Sequence, residues 1–233
     1  GISIAAARTD AVLGLAADAI GMGRDERTSR LLDAAQAGVD QRSWRSVIRL
    51  HWVRAEAALA AGDPAAARHA AMAAVSRAEH CPSLRHRVKS SLVLAAALAT
   101  LGGSVHRQES KGLLHTITST SLDQGYVTLF WPSALLLAEL DLAAAARWRD
   151  RARSSLSWIY ARTDARSVRA ARCSPWMPNW LLHSGDDVTP SEFMPSRSIK
   201  HRIVSRLPLQ WPIGEKERHS AVGRSPCDDG VDL

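Results

Sequence analysis

His80, Cys81 and His86 come closest to a metal-binding set, two imidazoles and a thiol close together in the chain. Zinc takes four nitrogen or sulfur ligands at defined spacing. A fourth would have to come from His51, His115 or Cys173, all distant in sequence. The expectation is a helix-loop-helix corner with incidental His and Cys, and no metal. Ser90-Ser91 and Ser184 lack the flanking glycines that expose a nucleophilic hydroxyl on a sharp turn. Gly102-Gly103-Ser104 has neither the Lys nor the preceding strand of a phosphate loop. Glu56 with Asp63, and Glu139 with Asp141, are spaced as solvated helix charges and offer no pair for acid–base work. The chain reads as a non-enzyme with no cofactor.

One charged feature rises above background. Residues 143–173 hold eight arginines against Asp150 and Asp164, so this segment carries nearly all of the +7 net charge. Arg149 and Arg153 fall at i and i+4, and Arg162, Arg166 and Arg169 at i, i+4 and i+7. On one helix running from about Leu142 to Arg162, or on to Arg172, these would form an anion-binding ridge for nucleic acid, acidic protein or phosphate. Trp148, Ala152, Ser155, Leu156 and Ile159 would be that helix's packing face. The plainer reading is a soluble final helix in which Arg serves propensity and solubility, because aromatics are not interleaved as a stacking platform.

The elements that must carry these residues are helices. Of the residues, 46% are hydrophobic, much of that Ala, and only 5% are aromatic. Ala is the best helix former, and no sustained alternation marks a strand. The class is all-α. Cys81, Cys173 and Cys227 form no close pair, which points to a reducing, cytoplasmic setting. No uncharged apolar run is long enough for a transmembrane helix. Arg8, Asp10 and Asp18 interrupt the first apolar stretch, which reads as a core helix from about Ile4 to Ile20.

Asp25 is expected to cap a second helix. A third runs from about Arg42 to Ala61 and stops at Gly62, and Asp63-Pro64 starts a fourth by capping and a helix-compatible first-turn Pro. Pro82 ends the fourth, Ser83 restarts a fifth up to Gly102-Gly103, and Ser104 caps a sixth, whose end over Thr116–Ser121 is a weak helix former. A seventh opens at Phe130-Trp131-Pro132-Ser133, with Pro132 in its first turn.

These elements repeat. Ile20, Leu59, Leu98 and Leu137 are spaced 39 residues apart, as are Val53, Leu92 and Trp131, and Ala58, Ala97 and Leu136. Gly23, Gly62 and Gly102 mark one recurring turn, the last offset by a residue. Stacked hairpins of this kind bury one continuous core that a single hairpin cannot. Gly62-Asp63-Pro64, with Ala67, Ala71 and Ala74 after it, resembles the inter-helix turn and close-packing positions of tetratricopeptide-like α-solenoids. The period departs from that family's roughly 34 residues, and its full Trp, Leu-Gly and Tyr signature is absent. The resemblance, over about residues 5–162, implies a degenerate array like those in the sensor regions of some bacterial regulators and adaptors.

The resulting expectation is an α-solenoid of about four antiparallel hairpins over residues 1–173. An aromatic cap at 174–185 carries Trp176 and Trp180, and an irregular tail spans 186–233. The expected function is a non-catalytic scaffold or adaptor binding a peptide or partner protein through His51, Arg54, Arg87, Lys89 and Gln124. The alternative is a fragment of a bacterial regulator whose Arg-rich helix contacts nucleic acid or another anion. A small-molecule site between hairpins is a third reading.

Overall fold

The computed structural model describes residues 4–172, and the expected cap and tail lie outside them. Nine α-helices follow one another among the described residues, with no strand: α1 (Ile4–Gly21), α2 (Asp25–Gly38), α3 (Trp44–Ala60), α4 (Pro64–Glu79), α5 (Leu84–Leu101), α6 (Ser104–Asp123), α7 (Val127–Leu140), α8 (Ala145–Tyr160) and α9 (Ala165–Arg172). The fold is all-α. Helices α1 to α8 pack as four consecutive hairpins, each helix against the next. The odd-numbered helices also pack on one another, α1 on α3, α3 on α5 and α5 on α7, whereas no even-numbered helix packs substantially on another. The odd layer is therefore the tighter of the two.

The α3–α4 turn shows why the chain stops one helix and starts the next here. Gly62 sits at φ 76°, a left-handed conformation that costs other residues Cβ strain. There its N–H donates to the Leu59 carbonyl (3.1 Å) and the Asp63 N–H to the Ala58 carbonyl (2.9 Å), a Schellman closure. The Asp63 carboxylate then accepts from the Ala66 N–H at 2.9 Å, capping α4 with Pro64 in its first turn. Ala67, Ala71 and Ala74 are fully buried beyond it. Gly23 closes α1 by the same pair of bonds. Gly102 does not: its ψ is −168°, and the chain leaves α5 extended through Gly103.

The spaced positions are core positions. Ile20, Leu59, Leu98 and Leu137 are all buried, as are Val53, Leu92 and Trp131. Ala97 and Leu136 are buried and Ala58 half-buried. Two buried bonds tie neighbouring helices: Trp52 Nε1 donates to Ser90 Oγ (2.9 Å) and Ser110 Oγ to the Ala95 carbonyl (2.7 Å).

Several expected boundaries move. Asp25 and Ser104 are first helical residues, with Arg24 and Gly103 at the N-cap positions. Helix α6 runs through its weak formers to Asp123, because Ile117, Thr118 and Ser121 are buried and tertiary packing overrides propensity. Helix α7 starts at Val127, so Pro132 lies inside it, beyond the first turn. Pro removes one ladder donor there; beside it, Ser133 Oγ donates to the Leu129 and Phe130 carbonyls at 3.0 and 2.7 Å.

The Arg-rich segment is not one helix. A 3-10 turn (Leu142–Ala144) precedes α8, and a break at 161–164 separates α8 from α9. Two side-chain devices favour the break. Thr163 Oγ1 donates back to the Ile159 carbonyl (2.8 Å). Asp164 accepts from the Ser167 N–H (2.9 Å) and hydroxyl (2.7 Å), opening α9. Arg162 lies in the turn and Arg166 and Arg169 in the next helix, so the expected i, i+4, i+7 ridge does not form.

Candidate functional site

Arg45, Arg49, Trp52 and Glu56 fall at i, i+4, i+7 and i+11 on α3 and therefore share one face. That face meets α1 on one side and α5 on the other. Towards α1, the Asp10 carboxylate bridges Arg45 (3.3 Å) and Arg49 (3.0 Å) and accepts from Ser46 Oγ at 3.3 Å. Towards α5, Lys89 Nζ sits 3.6 Å from Glu56 and 4.6 Å from the centre of the Trp52 ring. His86 stacks on Trp52 (5.2 Å, 23°) and meets Trp44 edge-on (4.9 Å, 81°), while its Nδ1 contacts Ser83 Oγ at 2.8 Å. From α5 the ladder reaches the start of α7, where Arg85 donates to Thr128 Oγ1 (3.2 Å) and lies 5.8 Å from the Tyr126 ring centre. One polar and aromatic ladder thus runs across α1, α3, α5 and α7.

Its electrostatics follow from burial and from an excess of cations. The His86 pKa falls from 6.5 to about 4, first through burial and then through Arg45, Arg49, Arg85 and Lys89. The ring is neutral near pH 7 and acts as an aromatic slab. Burial raises the Glu56 pKa, and attraction to Lys89 only partly offsets this. Glu56 was expected as a solvated helix charge; its side chain is instead only 4% exposed, because it faces α5 rather than water. Among the described residues, the Ser83 hydroxyl is the one nucleophile-type group within hydrogen-bond reach of the His86 ring. The arrangement offers fixed donors, positive charge and ring faces.

Of the residues singled out for partner binding, Lys89 alone belongs to this ladder. His51 lies towards α4, its pKa lowered by burial and then by Arg54, Arg77 and His69. Arg54 is half-buried beside it. Arg87 donates to the Cys81 carbonyl at 2.8 Å and ties down the α4–α5 corner. Gln124 is exposed after α6. At that same corner Cys81 is buried with its Sγ 3.4 Å from the Ser83 carbonyl, and no group of three or more His, Cys, Asp or Glu among the described residues could hold a metal ion. Asp10, Arg45, Arg49 and Trp52 were not anticipated as site residues, and Glu56 and His86 were read in other roles, as a solvated charge and a corner histidine, although the spacing of the four α3 residues could have marked the face.

In the Arg-rich segment, Arg149 pairs with Glu139 (3.8 Å) and Arg153 with Asp150 (3.0 Å). Trp148, Ala152 and Leu156 are buried as its packing face. Among the described residues no single helix is long and apolar enough to cross a membrane. Comparison with protein-family models, with curated proteins and with solved structures finds no match.

Proposed function

We propose that the chain is a non-catalytic helical-repeat scaffold, of the tetratricopeptide-like α-solenoid kind, whose odd-helix face holds a peptide or partner protein. The observation that carries this reading is the ladder from Asp10 through Arg45, Arg49, Trp52, Glu56 and Lys89 to Arg85. A layer packed more tightly than its partner lies on the inside of a curved array, so the odd face is the natural groove. Its side chains are already held by one another, so a ligand meets ordered anchors and less rotamer freedom is lost on binding. Cys81 is a free, buried thiol, which fits a reducing, cytoplasmic adaptor. The regulator role implied by the repeat resemblance is compatible with such a groove.

The test is a displayed-peptide selection on the full chain, repeated with Trp44→Ala/Arg45→Glu and with Met72→Ser. Met72 is exposed on α4, away from the ladder. Selected peptides should lose at least about tenfold in affinity for the ladder variant, a change of at least ~1.4 kcal/mol, and none for Met72→Ser. Selection of no peptide, or equal retention by both variants, contradicts the proposal.

A further inference from the structure

A second surface, built from other residues, lies on the outward side of α8. Arg147, Arg151, Ser154 and Trp158 are exposed and spaced four, three and four residues apart, a single helical stripe about 16 Å long. Arg162, in the turn after the helix, extends it: its guanidinium lies 3.9 Å from the centre of the Trp158 ring and donates to the Trp158 carbonyl at 3.2 Å. Trp158 remains 48% exposed. The two carboxylates of the segment are engaged elsewhere, Asp150 by Arg153 and Asp164 by Ser167. Among the described residues no carboxylate pairs with Arg147, Arg151 or Arg162, nor with Arg166 and Arg169 on α9. The Arg147 and Arg151 guanidinium groups lie 5.5 and 5.2 Å from the centre of the Trp148 ring, and both residues remain exposed.

We propose that this stripe binds single-stranded nucleic acid. Arginines with no carboxylate partner among the described residues attract phosphates, and the half-exposed Trp158 indole, with Arg162 over its ring, offers a base an aromatic and cationic surface to stack on. The sequence alone shows no interleaved aromatics here, but the fold exposes Trp158 between Arg151 and Arg162, and stacking of a base on such a ring is tolerant of sequence. An acidic protein would need no such ring. An anionic membrane would need a broader apolar face than one Trp among Arg and Ser. The odd-helix ladder is less suited to a polyanion, since Asp10 and Glu56 interrupt its cations and Trp52 is 7% exposed.

The measurement is fluorescence anisotropy of labelled oligothymidylate with the full chain at rising salt. Binding at low salt is expected, weakening with a slope of about −0.7 per phosphate contacted. Arg147→Gln/Arg151→Gln should flatten that slope and weaken binding at least about tenfold. Trp158→Ala should weaken binding about fivefold or more with the slope unchanged, and Trp158→Phe should recover part of the loss. Thermal unfolding of each variant reports whether the fold is retained, and these exposed positions should leave it so. Absence of binding by the wild-type chain overturns the proposal, as does unchanged binding by the folded variants. Stronger binding to polyglutamate or to phosphatidylserine vesicles than to the oligonucleotide also overturns it. None of these outcomes bears on the peptide selection, which probes the opposite layer.

Discussion

Lys89 and Glu56 are the residues on which the odd face turns. Glu56 is too deeply buried to be charged without a partner, and its pairing with Lys89 spans 3.6 Å. Removing one member of such a pair leaves the other's charge in low dielectric, whereas removing both can be nearly neutral. Lys89→Met should therefore destabilise the chain by about 3 kcal/mol, and Glu56→Gln added to it should recover most of that loss; urea unfolding of the two variants measures both. His86 gives the face a pH dependence. Its folded pKa of about 4 lies below its ordinary 6.5, so on acidification the unfolded chain takes up the proton first. Stability from this group is fully present above pH 6.5 and is lost as pH falls towards about 4. Glu56, with its raised pKa, works in the opposite sense and favours the folded state on protonation. His86→Phe isolates the histidine: its melting temperature should fall less than that of the wild-type chain across this window. An equal fall in both would show that another group governs the acid response.

At the scale of elements, the turns were the most legible part of the sequence. Gly62-Asp63-Pro64 marks a stop and a start because each residue answers a local requirement: a left-handed φ, a free N–H to cap and a donor that can be spared. No atom lies within 4 Å of a Cβ built at Gly62, so Gly62→Ala should cost only its backbone strain, about 1 kcal/mol. Chemical unfolding checks this, and a loss several times larger would mean that the turn carries tertiary contacts as well. The α8–α9 break was not legible. It depends on Thr163 and Asp164 turning their side chains back onto the main chain, a local alternative that outcompetes a helix whose Arg and Ala content favours continuation. The α7 start was missed for the complementary reason. Burial of Leu129, Phe130 and Trp131 holds a helix around Pro132, and burial is a tertiary fact that propensity does not carry.

At the scale of the molecule, the 39-residue spacing found core among the described residues: Leu59, Leu98 and Leu137 each sit buried on an odd-numbered helix that packs on its neighbours. It was silent about the ladder, whose members differ in type from one helix to the next. Asp10, Glu56 and Lys89 look like ordinary surface charges until α1, α3 and α5 are laid side by side. The tighter odd layer creates that juxtaposition, and the proposed scaffold role rests on it. Amide hydrogen exchange on the full chain, with and without a peptide obtained by selection, tests this most directly. Binding in the odd-layer groove predicts slowed exchange in α3 and α5, with α4 and α6 unchanged; protection confined to α4, α6 or α8 would contradict it.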